Sequence, residues 1–546
     1  MRLKNNRLKK MYKALSVILI SILIFSFASA GKYTDDSIIN EVRQILRTNY
    51  VDELPDSTLN QPTVEGIVKE INKTDTHTEY FTAKQYGEFT NAVNQTYVGI
   101  GVSIEMVPEG VQVITVFDTS PAKDGDIKSG DVIMMANQHL LGGLSSDAAV
   151  NLIKGPAGTK VNLRIKRENQ LINKTLPRRQ INAPTVTGEI LDKHIGYIKI
   201  SSFGGDTALK FGDLINDYET KKVDSYIIDV RNNGGGYLDA ALNIAGYFVG
   251  DQVALITRSK AEGVKKLYGV AHKALINKKV TFLINQYSAS ASEVLSGVVR
   301  DYNKANFIGL KSYGKGSVQW PVALPDKTVL KLTIEKFFSP KDITIDKVGI
   351  TPNIDVPNEV DSMRVAELIF DTPKTLKSNL GYVKINLKDN SAVLNVNRVE
   401  DPIYWQSYNQ LISLAAKDGS VMLGTDKGWT TLTKDNLSDL PAMFYPGYKE
   451  LPKKKSAALE SKFTLSFDTN VLKSSLNDKN IELIDTSSGV RVPVVITVPN
   501  GKSVLVAPKN ILKKGKTYFL VVNPKVIKTD NKPVGYGMIN EIETVK

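Results

Sequence analysis

The sequence predicts a multidomain α/β protein in which a mixed α/β core is flanked by β-rich modules and preceded by a helical segment. Three observations predict it. Residues 185–357 alternate apolar β-type runs (HIGYIKI, SYIIDV, KVTFLIN, NFIGL) with helical stretches (DTALKFGDLINDY, YLDAALNIAGYFV, SASEVLSGVVRDY), the pattern of a buried sheet with helices. From Tyr97 the chain turns to short β-rich runs punctuated by glycine: YVGIGVSI, GVQVITVF, DVIMMANQ and VNLRIKR. From Lys462 it is β-rich throughout, with FTLSF, VPVVITV, SVLVAP and TYFLVV separated by Asn, Asp, Gly and Lys turns, which reads as a small β-sandwich.

The elements follow in order. Residues 1–13 hold six Lys/Arg and no acid, ahead of an apolar run from Ala14 to Phe27 and then Ala28-Ser29-Ala30. That is the layout of a signal peptide with an Ala-x-Ala cleavage site, and counting through Ala30 brings the run near a spanning length. Residues 1–30 are therefore a signal peptide or a membrane anchor, and in both cases the remainder crosses the membrane. Residues 31–92 read as a helical N-terminal segment, with Ile38, Ile39, Val42, Ile45 and Leu46 at helix spacing. A glycine-punctuated β module spans 93–180, in which SSDAAVNLIKG reads as a helix closing on Gly155. The α/β core spans 181–358. Residues 359–458 read as a β-rich region with a short helix near Met363–Phe370, ending in the Lys-rich linker LPKKKSAALE, and 459–546 as the sandwich.

Composition narrows the chemistry. With 42% hydrophobic and 23% charged residues the chain of 546 can build large cores. It has no cysteine, which excludes disulfides, thiolate zinc sites, a Cys nucleophile and a lipoprotein Cys. Its four histidines (His77, His139, His194, His272) are scattered, so no metal site and no cofactor is expected. Of the net charge of +13, six units lie in residues 1–13, which leaves +7 over more than 500 residues. This is a solvated Lys-rich surface, and nucleic acid is not an expected partner.

The common hydrolase and nucleotide motifs, G-x-S-x-G, H-E-x-x-H and G-x-x-x-x-G-K-[ST], are missing. Three other segments could carry chemistry. NQYSASASEVLSGVVRDY (285–302) follows an apolar strand and opens a helix; its small residues permit a sharp turn, and unpaired N–H groups at a helix N-terminus can hold an oxyanion. Taken alone, the serine run reads as a helix cap. Lys315 lies 25 residues beyond Ser290, among glycines in SYGKGSVQ, and taken alone reads as a surface turn lysine. DVRNNGGG (229–236) ends the strand SYIID and is either a plain turn or a source of backbone N–H groups for a substrate carbonyl.

Together, and in this order, the three segments resemble the C-terminal processing (tail-specific) serine protease family over roughly residues 40–357. The resemblance implies that the middle serine of S-A-S-A-S-E, Ser290, is the nucleophile and that the lysine of Y-G-K-G, Lys315, is the general base. It further implies that Gln319 orients the lysine amine, and that the Ala291 N–H and a glycine N–H hold the oxyanion. For that glycine the sequence leaves both Gly235 and Gly236 open. A Ser–Lys pair makes a physical demand, because a free lysine has a pKa of about 10.4 and must be neutral to act as a base. Burial can lower that value by about 3–5 units, and a three-unit shift corresponds to about 4 kcal/mol. The site must therefore be dry when it works.

Val98-Gly99-Ile100-Gly101 resembles the loop with which PDZ domains hold a terminal carboxylate, and SPAKDGDIKSGDVIMMANQ and KGPAGTKV resemble the PDZ variant of this protease family. An extended peptide would add there as a strand. Asp75-Thr76-His77-Thr78-Glu79-Tyr80-Phe81 is similar to a D-P-H-x-x-Y-like segment of the family, without its proline, and reads as structural. Residues 459–546 resemble bacterial Ig-like domains, which space or attach a catalytic domain. Trp405, Trp429 and neighbouring tyrosines read as core packing ahead of a carbohydrate-contacting face. The resemblance implies an extracytoplasmic endopeptidase, secreted or membrane-anchored at the cell envelope. It would cut protein or peptide substrates near exposed C-terminal tails, with PDZ-mediated tail recognition or gating and with a homodimer as one arrangement. Two alternatives stand beside it: a non-catalytic PDZ/Ig-like envelope scaffold, and a Ser–Lys amidase acting on cell-wall peptides.

Overall fold

A computed structural model describes residues 35–357, 360–371, 375–387, 390–432 and 440–546. The segment 1–30, read above as a signal peptide or anchor, lies outside them. Among the described residues no helix is long and apolar enough to cross a membrane. The chain divides into two compact units, one built from residues up to Tyr86 together with Gln319–Ile334, the other from Gly87–Val318 with Glu335–Lys546.

In the smaller unit, helices Asp35–Asn49, Asp56–Leu59 and Val64–Ile71 precede the strand Glu79–Phe81, which pairs antiparallel with 329–331. Ile38, Val42 and Leu46 on the first helix and Ile67, Val68 and Ile71 on the third bury against Leu324, Leu330 and Leu332. Asp75 organises the turn before the strand, accepting from the His77 N–H at 2.9 Å, the Thr78 hydroxyl at 2.7 Å and the Tyr50 hydroxyl at 3.2 Å. Burial alone would raise its pKa, but these donors hold it below the ordinary carboxylate value.

The larger unit is built around a six-stranded sheet of β1 (Val186–Leu191), β2 (Ile195–Ile200), β3 (Ser225–Asp229), β4 (Lys279–Ile284), β5 (Asn306–Gly309) and β6 (Ile354–Asp355), ordered as they occur in the chain. Only the β1–β2 pair is antiparallel. Helices α1 (Thr207–Thr220), α2 (Leu238–Val249) and α3 (Ala291–Asp301) connect β2 through β5. Right-handed crossovers that always step the same way across a sheet put their helices on one face. Accordingly Ile198, Ile200, Ile228, Phe282 and Phe307 bury against Phe211, Phe248 and Leu295 of these helices. The alternate residues Ile195, Ile227, Leu283 and Ile308 point to the other face, which α4 (Ser362–Phe370) and the segments after it cover.

Before the sheet, residues 102–177 form a module whose six-stranded sheet packs Val111, Val113, Ile133, Leu163 and Ile165 against the helix Ser146–Ile153. The module is reached through a two-stranded ribbon, Thr96–Gly99 paired with Arg179–Asn182.

Residues 359–458 differ from the β-rich reading in carrying the long helix Trp405–Asp418, which lies against a four-stranded sheet and buries Trp405, Tyr408 and Leu411. Trp405 is 1% exposed, so it is a core residue; Trp429 is half-buried on the strand Gly428–Thr431. The expected linker is also corrected. Lys449–Ala457 is a strand, paired in parallel with Met538–Thr544, and Lys453 reaches Glu541 at 2.8 Å and Glu543 at 2.6 Å. Lysine stems lie along a strand while their heads meet acids on its neighbour.

The C-terminal strands form a five-stranded and a three-stranded sheet. Leu520 and Val522 face the core between them, with Phe463, Leu465, Val504 and Val506. Phe519 and Val521 point the opposite way, into the cluster that holds Trp405, Phe444 and the second face of the β1–β6 sheet. The strand Thr517–Val522 is therefore buried on both faces and joined to the core, unlike a detached spacer.

Candidate active site

Because β3, β4 and β5 are adjacent and parallel, with Asp229 beside Leu283 and Ile284 beside Gly309, the three segments that leave them emerge on one edge. Ligands of open α/β sheets bind outside such carboxyl ends. The three segments are those carrying the glycines, Ser290 and Lys315.

Hydrogen bonds lace the first two together. Asn285 and Asn232 exchange bonds at 2.9 Å, and the Ala289 N–H donates to the Asn233 carbonyl at 3.0 Å. The three serines then differ in environment. Ser288 donates to the Val230 carbonyl at 2.8 Å and Ser292 to the Asn233 carbonyl at 2.9 Å, and both are buried. Ser290 is half-buried and sits at the N-cap of α3 with φ +57° and ψ −116°. A non-glycine residue there costs about 1–3 kcal/mol, so the surrounding bonds hold a strained turn.

Gly235 explains why the glycine run is needed. It has φ +107°, and a Cβ built on it would lie 2.8 Å from Ser290 Cβ and 3.0 Å from the Ala291 nitrogen. Its N–H donates to Asn233 Oδ1 at 2.9 Å and its carbonyl accepts from the Phe203 N–H at 3.0 Å. Gly236 is exposed, and its N–H, like that of Ala291, donates to no group among the described residues.

The third segment joins through Glu293, which the sequence reading did not single out. Its fully buried carboxylate accepts from the Ser290 N–H at 2.9 Å and the Lys315 N–H at 2.8 Å on Oε2. On Oε1 it accepts from the Gly314 N–H and the Ser312 hydroxyl, both at 2.6 Å. Burial pushes its pKa up, opposed by the Ser312 hydroxyl and the N–H groups of Lys315, Gly314 and Ser290. The only available signal was a capping glutamate three residues after a serine; nothing in the spacing reveals donors 19 to 22 positions away. Lys315 itself is half-buried. Gln319 belongs to the smaller unit, where its amide donates to Thr333 Oγ1 at 3.2 Å.

A second cluster missed by the sequence reading lies beneath the glycine loop. Asp229, 1% exposed, accepts from Arg231 at 3.0 and 2.7 Å and from the Tyr197 hydroxyl at 2.9 Å. Arg231 also donates to the Ser362 hydroxyl at 3.0 Å, at the start of α4. Burial and the neighbouring carboxylate push the Tyr197 hydroxyl far up, so it acts as a permanent donor.

In the 102–177 module a groove of about 330 Å³, counting its open side, is lined by Tyr97, Gly99, Ile100, Gly101, Val102 and Ile104 on one side and Val150, Ile153 and Lys154 on the other. Gly101 has φ +84°, and a Cβ there would lie 2.3 Å from Ser120 Cβ. Three of the four residues expected to bind peptide thus line the groove; Val98 instead pairs with Gln180 in the ribbon. Arg178 donates to the Ile153 carbonyl at 2.8 Å and the Leu152 carbonyl at 3.3 Å, and so closes the last turn of the groove helix.

Peptidase family S41 matches residues 194–356 and a PDZ domain matches 98–176. The chain is 30% identical over 346 residues to a Probable CtpA-like serine protease of Staphylococcus epidermidis, covering 62% of this chain and 70% of that one. It is 29% identical over 410 residues to the protein of the same name in Staphylococcus saprophyticus, covering 71% and 82%. Among solved structures, the photosystem II D1 C-terminal processing protease matches with 22% identity and a TM-score of 0.40, over 60% of this chain and 94% of that one. With a serine-bearing turn at the carboxyl edge of an α/β sheet and a PDZ domain before it, the chain belongs to peptidase family S41, as a serine protease of the C-terminal processing type.

Proposed function

We propose that the chain cleaves protein substrates with Ser290 as nucleophile and Lys315 as general base. The observation that carries this is the Glu293 carboxylate, one oxygen of which binds the backbone N–H of both residues, at 2.9 and 2.8 Å. Neutral Lys315 takes the Ser290 hydroxyl proton as Oγ attacks the scissile carbonyl. It then returns that proton to the leaving amine, and water releases the acyl group by the same route. The oxyanion is held by the N–H groups of Gly236 and Ala291. Gly235 is the weaker choice, because its N–H is engaged by Asn233. Gln319 orients the lysine amine. The groove at Gly99–Gly101 receives the substrate's C-terminal carboxylate, and its apolar walls favour an apolar final residue.

The same reading places the enzyme outside the cytoplasm, tethered or released at the envelope, with the C-terminal strands as an Ig-like sandwich and with a homodimer as one assembly. The test is Ser290→Ala beside Lys315→Ala on an unstructured polypeptide substrate. Each variant is expected to lose at least about 10³-fold in kcat/KM. Cleavage by both at the parent rate would remove the protease site and favour the scaffold reading.

A further inference from the structure

The positive charge is not spread evenly along the chain. Residues 449–546 hold 17 Lys/Arg against nine Asp/Glu, a net +8. With six further units in residues 1–13, the stretch 14–448 is left at −1. The surplus thus belongs to the C-terminal sheets, and the fold gathers much of it at one end of them. There the loop 509–516 carries Lys509, Lys513, Lys514 and Lys516 and no acid. Its Leu512 N–H donates to the Leu459 carbonyl at 2.9 Å, which brings Lys462 beside it, and its Gly515 N–H to the Val545 carbonyl at 2.8 Å, which brings Lys546. The acids of the adjoining segments 455–462 and 543–546 are Glu460 and Glu543. Glu543 is already engaged by Lys453 at 2.6 Å. That lysine holds its carboxyl below the ordinary range, with Lys455 and Lys546 adding to the pull. The same loop turns Leu512 inward and leaves Ile511 65% exposed. Val495, opposite Ala507 on the strand that leads into the loop, is exposed as well.

We propose that this end of the C-terminal sheets docks on an anionic lipid bilayer, with Lys513 and Lys514 on headgroup phosphates and Ile511 at the acyl boundary. A single exposed isoleucine is ordinary, and lysines alone attract any polyanion. An apolar tip set among lysines is the combination that fits a lipid surface, because charge draws the loop to the headgroups and the apolar side chain finds hydrocarbon beneath them. A polyanion dissolved in water offers Ile511 nothing. The near-neutral stretch 14–448 adds no comparable attraction, so the charge orients the chain with this end toward the bilayer. The inference stands apart from the reading of Ser290 and Lys315.

The experiment uses the chain from Gly31 on, so that residues 1–30 cannot themselves insert. Its probes are phosphatidylcholine vesicles, the same vesicles containing phosphatidylglycerol, and soluble polyphosphate. The parent is expected to bind the anionic vesicles at least about 20-fold more tightly than the neutral ones, and less tightly as salt rises. Each lysine near an anionic surface is worth about fivefold, so Lys513→Gln with Lys514→Gln should lose about 25-fold. Ile511→Ser should lose at least about fivefold on vesicles and nothing on polyphosphate. Ile511→Trp should keep vesicle binding, with emission that moves to shorter wavelength on the anionic vesicles; it decides the matter should the lysine variant fold poorly. Equal binding to both kinds of vesicle, no binding, or vesicle binding indifferent to Ile511 would each overturn the proposal. Polyphosphate bound as tightly as the anionic vesicles would assign the lysines to a soluble polyanion and overturn it too. None of these measurements uses cleavage, so an inactive Ser290–Lys315 pair would leave the docking face untouched.

Discussion

Replacing Glu293 by Gln removes one acceptor from a site where every partner is a donor. The cheaper orientation turns the new amide nitrogen toward Ser312, whose hydroxyl can rotate to accept. That still leaves the Gly314 N–H facing a donor, a loss of about 1.5–3 kcal/mol, and the bonds from Ser290 and Lys315 fall to roughly half strength without the charge. Relief from burying a carboxylate offsets part of this, so net destabilisation is expected at about 2–4 kcal/mol. The larger effect is geometric, because the Ser290 turn and the Lys315 segment lose their common acceptor. A displacement near 1 Å costs about 10²-fold, equivalent to about 2.7 kcal/mol in the barrier. The assay is kcat/KM on the unstructured substrate, beside peptide affinity of the groove, which should not change. A pH series adds a signed check. Burial dominates and raises the Glu293 pKa in the fold, so the protonated form is favoured there. Its contribution is whole below the unfolded value, near about 4.3, and is lost as pH rises through the folded value. The parent should lose stability across that window, and Glu293→Gln should lack this component. A variant that keeps kcat/KM within about threefold of the parent would refute the clasp.

Three further outcomes follow from the same geometry. Gly235→Ala should lower kcat/KM by about 10²-fold, since its Cβ would press on Ser290 at 2.8 Å; Gly234→Ala, with nothing within 4 Å, is the control in the same assay. Arg231→Met should destabilise by about 3–5 kcal/mol by stranding buried Asp229, and Asp229→Asn in the same chain should recover part of it in thermal unfolding. Trp405→Ala should cost about 3–5 kcal/mol, since the ring stacks on Phe444 at 4.3 Å and its N–H donates to the Thr486 carbonyl at 2.8 Å; a loss under about 1 kcal/mol would contradict the continuous core.

The strands and helices around the three motifs were readable because apolar periodicity and glycine punctuation act locally. The run SYIID, buried at every position, reads as a central strand with no tertiary knowledge. The same logic applied to TYFLVV would have announced a sheet covered on both faces, since its apolar residues are continuous and do not alternate. What could not be read was partnership. Glu293 resembles any capping glutamate until the chain returns at Ser312–Lys315. The choice between Gly235 and Gly236 turns on which N–H Asn233 occupies. The stretch LPKKKSAALE looked like a linker because Lys453 finds Glu541 and Glu543 only after some 90 further residues. Helix Trp405–Asp418 was hidden by aromatic and polar residues that are poor guides to period until the face they bury is known.

The two-sided burial of the strand Thr517–Val522 also sets an order of events at birth. Synthesis delivers residues 186–357 well before Phe519, Val521 and Ile539 exist to complete the cluster they share with Ile195, Ile227, Leu283 and Ile308. Domains fold as units once their residues are present, so α4 and the helix Trp405–Asp418 can cover the second face of the β1–β6 sheet first, and the cluster is complete only when Phe519, Val521 and Ile539 join it.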